Sequence, residues 1–224
     1  MQTRGFFTSQ VDHLKKSLVR MGETAGRLMG DSVAALCARD ALLAREVIAR
    51  DEELDRLEDE HEELITQAMA LNQPVARDLR TLIALLRVNA TIERVGDVSI
   101  NIAQTAVRLS ELPPIRPFVD IPRQYELVRP MWDDAVRSLS DMDEALASAM
   151  RDRDDLVDDM NARMIVQLIE IARDSPEFIF QSTNLIGVSK SLERIADLAV
   201  DISHEVIFVA RGELRHARNH RKSA

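Results

Sequence analysis

The sequence predicts an all-α protein, built as a tandem duplication of a three-helix bundle with six long helices. Two segments that lie one hundred positions apart are nearly alike, IERVGDVSINIA at residues 92–103 and LERIADLAVDIS at residues 192–203. Only seven glycines and seven prolines interrupt the 224 residues, and four of the prolines fall between positions 113 and 122. Long helices are therefore expected on both sides of that proline-rich segment.

The first half is predicted to contain three helices. Apolar residues recur at helical spacing over residues 8–38, which indicates the first helix. Asp40 is a suitable N-cap for a second helix over residues 41–71. Pro74 suits the first turn of a third helix over residues 74–110, because proline is tolerated where the backbone N–H has no partner inside the helix.

The second half is predicted to repeat this arrangement. A fourth helix follows the prolines and reaches about residue 150, and Pro130 marks either a kink within it or a delayed start. A fifth helix over residues 152–174 and a sixth over residues 176–212 mirror the second and third. Pro176 stands where Pro74 stood in the first half. Two antiparallel three-helix bundles packed side by side are the expected architecture.

These helices divide the chain into two repeats. Residues 1–111 form the first three-helix repeat, residues 112–122 form a Pro-rich connector, and residues 123–224 form the second repeat. The second repeat ends in a basic tail, which from Arg211 onward carries five Lys or Arg against one Glu. Such a tail could associate with anionic lipid or an acidic partner, or it could be a solvated helix end.

Composition excludes several classes of protein. Hydrophobic residues make up 46% of the chain but aromatic residues only 4%, which is typical of an aliphatic helix-bundle core. The net charge of −9 argues against a nucleic-acid binder that depends on phosphate contacts. A single cysteine excludes an intramolecular disulfide and a thiolate cluster. Because no signal peptide and no apolar run long enough to span a bilayer are visible, a cytoplasmic location is expected.

Paired acidic residues are the most distinctive chemistry of the sequence. Residues four apart on a helix project to the same face, and like charges at this spacing repel unless a cation or a partner compensates them. Oxygen-rich pockets formed by such pairs on neighbouring helices suit Mg²⁺, Mn²⁺ or Fe³⁺. In the first half the pairs are Asp51 with Asp55 and Glu93 with Asp97, extended by Asn101. In the second half they are Asp154 with Asp158 and Glu193 with Asp197, extended by Asp201.

Two other interpretations of these acids remain open. Arg94 lies three residues from Asp97, and Lys190 lies three residues from Glu193, so ordinary surface ion pairs in a purely structural protein could account for them. A di-iron carboxylate protein, resembling a ferroxidase, is the second alternative. Such bundles use a Glu-x-x-His spacing twice, and this chain has one true copy, from Glu58 to His61.

The whole chain resembles the PhoU family. The resemblance rests on DEELD (51–55), QPVARDLRTLIALL (73–86), IERVGDVSINIA (92–103) and LERIADLAVDIS (192–203), together with the duplicated six-helix pattern and the proline-rich midpoint. It implies two tandem three-helix bundles in a cytoplasmic, often oligomeric protein. It also implies a non-catalytic regulator that links the ATPase subunit of the high-affinity phosphate transporter to a membrane sensor histidine kinase and restrains the phosphate-starvation response.

Metal sites are also implied by the resemblance. Family members carry acidic motifs at which multinuclear clusters of metal ions can sit, and these motifs fall on the acid pairs named above. Iron, zinc, manganese and magnesium are the candidate ions. The second half departs from the first, because Asn161 and Ile165 stand where the first half has Glu58 and Glu62. Two unequal sites are therefore expected. No Gly-rich phosphate loop, no Ser/His/Asp set and no kinase signature is visible, so an enzyme is not expected.

Overall fold

The computed structural model describes residues 2–115 and 120–212, with side chains from Gly5 onward. These residues form helices and connecting turns. Six of the helices are long, as predicted. The elements are α1 (Gln2–Ala38), α2 (Ala41–Ile48), α3 (Asp51–Asn72), α4 (Arg77–Ser110), α5 (Ile121–Asp141), α6 (Glu144–Ser148), α7 (Arg151–Asp174), a 3₁₀ turn (Pro176–Phe178) and α8 (Ile179–Arg211).

Several predicted helix ends differ from the observed ones. The first helix begins at Gln2 instead of residue 8, and the third begins at Arg77, so that Pro74 precedes it. Pro176 lies in a 3₁₀ turn ahead of α8. Pro130 is inside α5, which begins at Ile121, and a delayed helix start after this proline is therefore wrong.

Two predicted helices are each divided into a short and a long helix. The predicted second helix is observed as α2 and α3, and the predicted fourth helix as α5 and α6. Asp40 lies between α1 and α2 and caps α2, because its carboxylate accepts hydrogen bonds from the N–H groups of Leu42 and Leu43. Asp143 caps α6 in the same way. The residue before each cap adopts a positive φ, 57° at Arg39 and 51° at Met142. The duplication therefore extends to the turn geometry, with α2 and α6 as matching short helices.

Helices α1, α3 and α4 pack together as the first bundle, and helices α5, α7 and α8 form the second. The two bundles meet where α1 packs on α5 and α4 packs on α8. Buried apolar residues from both bundles belong to one continuous cluster. Among the described residues no helix has the length and apolar character needed to span a lipid bilayer. Most of the basic tail, residues 213–224, lies outside the described residues.

A stripe of glycines on α1 brings α5 close. A Cβ atom on Gly22 would lie 2.7 Å from Cγ2 of Val136, and one on Gly26 would lie 3.0 Å from the Trp132 ring. The indole Nε1–H of Trp132 donates to the carbonyl of Gly22 at 2.9 Å. Trp132 itself is fully buried. Trp132 of the second bundle thus packs directly against the backbone of α1 in the first bundle.

A second close approach lies inside the first bundle. Leu54 of α3 covers Gly96 of α4 so tightly that a Cβ on Gly96 would overlap Cδ1 of Leu54. At the corresponding positions the second bundle has Val157 on α7 and Ala196 on α8, both fully buried. Each pair has four side-chain carbons in total. Val157 has one carbon fewer than Leu54, and Ala196 has one carbon more than Gly96, so the side-chain volume between the two helices is the same in both bundles.

We expect Gly96→Ala to lower the free energy of unfolding by about 1 kcal/mol, because overpacking against Leu54 outweighs the higher helix propensity of alanine. Adding Leu54→Val should restore stability by recreating the pair of the second bundle. Urea unfolding of the single and double variants measures both effects. Gly187→Ala is the matched control, since a Cβ there meets no atom within 4 Å and should stabilise α8. Equal stabilisation by Gly96→Ala and Gly187→Ala would contradict the overlap.

Candidate metal centres on the acidic helix pairs

The first cluster of acids lies between α3 and α4. Asp51 and Asp55 are in the first two turns of α3, and Glu93 and Asp97 are on the middle of α4. Leu54 and Gly96, which lie next to these acids in sequence, form the tight contact between the same two helices. That contact places the acids of one helix near those of the other.

The pKa values show that these acids interact. Burial, together with the charges of Asp97, Glu58 and Asp55 and a hydrogen bond that protonated Glu93 donates to Asp97, raises the pKa of Glu93 to about 7. Burial also raises the pKa of Asp51, and the charges of Asp55 and Asp97 add to this effect. The predicted acids of both helices therefore share one electrostatic environment.

The second cluster repeats this arrangement between α7 and α8. Burial raises the pKa of Asp154 to about 6, and the charges of Asp197, Asp158 and Glu193 contribute. The pKa of Glu193 is raised by burial and then by Asp197 and Asp158, although Arg194 and Lys190 act in the opposite direction. Four acids of the second half are thus brought together, as in the first.

The two clusters differ in their exposure. In the first, Asp51 and Glu93 are half-buried while Asp55 and Asp97 are exposed. In the second, all four acids are half-buried. One carboxylate oxygen of Asp154, Oδ1, is buried without a hydrogen-bond partner. A buried anionic oxygen without compensation is unfavourable, and a cation is one group that would compensate it.

The donor chemistry fits a hard cation, but the side chains are not arranged around one. In the part of the chain that the structure describes, no three His, Cys, Asp or Glu side chains are placed so that they could hold a metal ion together. Convergence of several carboxylates on one point is disfavoured by their repulsion unless a cation or a shared proton lies between them. To bind an ion, these side chains would have to rotate, whereas the helix pair that carries them is already formed.

The remaining predicted ligands are less firmly placed. Asn101 is exposed one turn after Asp97, and Asp201 is half-buried one turn after Asp197. The interactions described above do not involve either residue, so their membership of the clusters stays a prediction. Glu58, whose absence from the second half was the reason to expect two unequal sites, acts on Glu93 from α3. Its position one turn after Asp55 was the available signal.

The alternative interpretations can now be compared with the geometry. Arg194 approaches Asp197 at 3.8 Å, so a weak surface ion pair does form in the second cluster. Despite this ion pair, the pKa of the neighbouring Asp154 is raised. The Glu-x-x-His element of a di-iron protein is not assembled, because both ring nitrogens of His61 contact other side chains, Nε2 at Ser17 and Nδ1 at Asn89.

Comparisons with known proteins identify the fold and the family. A family model described as "PhoU domain" matches residues 18–106 and 121–206. The phosphate-specific transport system accessory protein PhoU homolog of Caulobacter vibrioides (strain NA1000 / CB15N) is 34% identical over 92% of this chain and 90% of its own length. The homolog of Aquifex aeolicus is 31% identical over 92% of this chain and 93% of its own.

A solved structure agrees with these sequence matches. The crystal structure of PhoU from Pseudomonas aeruginosa superposes with a TM-score of 0.88, at 28% identity over 92% of this chain and all of that one. Both three-helix repeats are covered by the family model, as the internal duplication predicts. The chain belongs to the PhoU family.

Proposed function

We propose that this protein regulates phosphate uptake and phosphate-starvation signalling as a non-catalytic adaptor. Its partners would be the ATPase subunit of a phosphate ABC transporter and a membrane sensor histidine kinase. The observation that carries this proposal is family membership over both repeats, with relatives named as accessory proteins of the phosphate-specific transport system. Because the ATPase subunit and the kinase domain face the cytoplasm, the proposal places the protein there.

The long, closely packed helices support an adaptor that offers surfaces to two partners. A homodimer or higher oligomer is part of the same proposal. Exposed apolar side chains on α7 and at the start of α8, among them Val166, Ile169 and Phe180, offer contact area for such association.

We further propose that the two acid clusters bind metal ions. Asp51, Asp55, Glu93 and Asp97 would hold ions in the first, and Asp154, Asp158, Glu193 and Asp197 in the second. Bound iron, zinc, manganese or magnesium would neutralise the repelling carboxylates and hold each helix pair together. The raised pKa values of Glu93 and Asp154 support the proposal, because they show how unfavourable the unneutralised charges are.

The adaptor role predicts a specific set of binding partners. Protein isolated from phosphate-replete cells is expected to copurify with a phosphate transporter ATPase and a sensor histidine kinase. Mass spectrometry of the retained proteins is the measurement. Recovery of neither protein after mild cross-linking would contradict the adaptor role, while recovery of one alone would remove the link between transport and signalling.

The metal proposal predicts that Glu93→Ala with Asp97→Ala lowers the metal content of protein purified without chelator, because two ligands of the first cluster are lost. Inductively coupled plasma mass spectrometry gives the metal-to-protein ratio. Asp59→Ala with Glu63→Ala is the matched control, since both acids are exposed, have the same spacing and line the outer groove of α3. Equal metal content in both double variants would refute the assignment of Glu93 and Asp97.

The raised pKa values predict an unusual pH dependence of stability in metal-free protein. A carboxyl group whose pKa is raised by folding holds its proton more tightly in the folded state, so its contribution to stability is lost as pH rises through the folded-state value. For Glu93 this window runs from the ordinary value of 4.5 to about 7. For Asp154 it runs from 3.8 to about 6.

We therefore expect the melting temperature of chelator-treated protein to fall across these windows. Glu93→Gln and Asp154→Asn, which mimic the protonated forms, should reduce that fall, whereas Asp59→Asn should not. Added Mn²⁺ should raise the melting temperature most at the upper end, where protons no longer compete for the carboxylates. Differential scanning calorimetry from pH 4 to pH 8 provides the data. Parallel curves for all variants would show that folding does not raise the pKa values of Glu93 and Asp154.

A further inference from the structure

A buried polar network connects the three long helices of the first bundle. His61 of α3 is only 2% exposed. Its Nε2 lies 2.6 Å from Oγ of Ser17 on α1, and its Nδ1 lies 3.1 Å from Oδ1 of Asn89 on α4. The side-chain amide of Asn89 donates from Nδ2 to the carbonyl of Glu58 at 2.8 Å. Ser17, His61 and Asn89 thus form a continuous chain of hydrogen bonds.

The network determines which atoms carry protons. A backbone carbonyl can only accept, so Asn89 must turn its amide nitrogen to Glu58 and its oxygen to His61. Nδ1 of His61 therefore carries the proton. In a neutral imidazole the other nitrogen, Nε2, is then an acceptor, and the hydroxyl of Ser17 donates to it. This is the arrangement in which a histidine serves as general base to a serine.

The fold does not require this network. At the position of His61 the second bundle has Met164, a buried apolar residue. At the position of Asn89 it has Ser189, which donates to Asn161 of the same bundle at 2.8 Å. A buried histidine is unfavourable unless both ring nitrogens are satisfied. The second bundle packs without a buried histidine, so a three-helix bundle of this chain does not depend on one.

Ser17 is reachable from outside. It is half-buried and lines a groove of about 350 Å³ between α1 and α3. Arg20 and Arg27 line the same groove, together with Glu53 and Leu57 of α3. Because Ser17 is in mid-helix, the backbone N–H groups around it are used within α1. The guanidinium group of Arg20, one turn from Ser17 and close enough to act on His61, is therefore the nearest donor for negative charge that develops beside Ser17.

We propose that Ser17 is a nucleophilic serine and a site of covalent acylation by activated carboxylic esters. Oγ of Ser17 forms a bond to the carbonyl carbon while its proton moves to Nε2 of His61. The bond from that carbon to the leaving oxygen then breaks, and His61 returns the proton to the leaving alcohol. Asn89 is a positioning residue, because it keeps the proton on Nδ1. One acyl group per chain results, which is compatible with an adaptor that does not turn over substrate.

The protonation of His61 favours this chemistry at neutral pH. Burial lowers the pKa of His61, and the charges of Arg20 and His13 on α1 act in the same direction. The hydrogen bond to Asn89 on α4 and the charge of Glu60 on α3 oppose the shift without reversing it. The imidazole is thus in its basic form at pH 7. Reactivity is expected to fall only when the pH drops below the ordinary value of 6.5.

The test is acetylation of the full-length protein with p-nitrophenyl acetate, followed by peptide mass spectrometry. Ser17 is expected to acquire an acetyl group, whereas Ser9, an exposed serine on the same helix, is not. Ser17→Ala should abolish the modification. His61→Gln should slow it by about 100-fold, the lower range for loss of a general base. Unfolding curves of each variant exclude loss of the fold as the cause.

Wild-type protein alone keeps the proposal testable if the His61 variant fails to fold. The acetylation rate at Ser17 should be level at neutral pH and decline at acidic pH, as a histidine base requires. Prior unfolding in urea should remove the selectivity for Ser17 over Ser9. A rate at Ser17 that equals the rate at Ser9, or one that increases continuously with hydroxide concentration, overturns the proposal.

Discussion

The close contact between α1 and α5 is the constraint on which the two-bundle structure depends. Three glycines in register, Gly22, Gly26 and Gly30, remove the side chains that would separate the helices. Val136, Trp132 and the hydroxyl of Tyr125 occupy the space that results. Arg129 adds a hydrogen bond from its guanidinium to the carbonyl of Gly26 at 3.0 Å. Backbone from one repeat and large side chains from the other therefore form a single interface, with little room for the bundles to slide.

The same physical rule, small residue against large, acts inside the bundles with a different purpose. Leu54 on Gly96 and the counterpart pair Val157 with Ala196 set how closely the acid-bearing helices approach. Close approach makes repulsion between the carboxylates stronger and their burial deeper, and both effects raise pKa values there. The apolar core thus holds together groups that would otherwise separate. The acidic clusters are regions of stored electrostatic energy, which protons can release and which metal ions are proposed to release.

Much of the fold could be predicted because the duplication repeats its signals. The Asp40 cap, the proline-rich midpoint and the repeated Glu-Arg-x-x-Asp segments indicated six long helices in two repeats. The break before α6 was missed, since Met142 takes a left-handed conformation that usually indicates glycine or asparagine. The break after α2 was missed because Ala49 and Arg50 carry no turn signal. Alignment of Asp143 with Asp40 would have located the first of these.

The candidate site was predicted in part for a similar reason. Spacing identifies acids on one helix face, and the structure places each pair opposite its partner helix. Spacing does not reveal which acids become half-buried, because that depends on the neighbouring helix. The serine, histidine and asparagine of the first bundle were beyond sequence reasoning altogether. They are separated by 44 and 28 positions and meet only through packing.

The continuous apolar core has a consequence for the ancestry of this chain. A repeat that once folded alone would have presented a polar surface where its partner now packs. Here α1 and α4 present Gly22, Gly26 and the buried face toward α8, which only the other repeat can cover. Removal of either repeat would therefore expose this apolar face of the other to water. The differences between the repeats, such as Met164 against His61, thus lie within a molecule whose apolar core is shared.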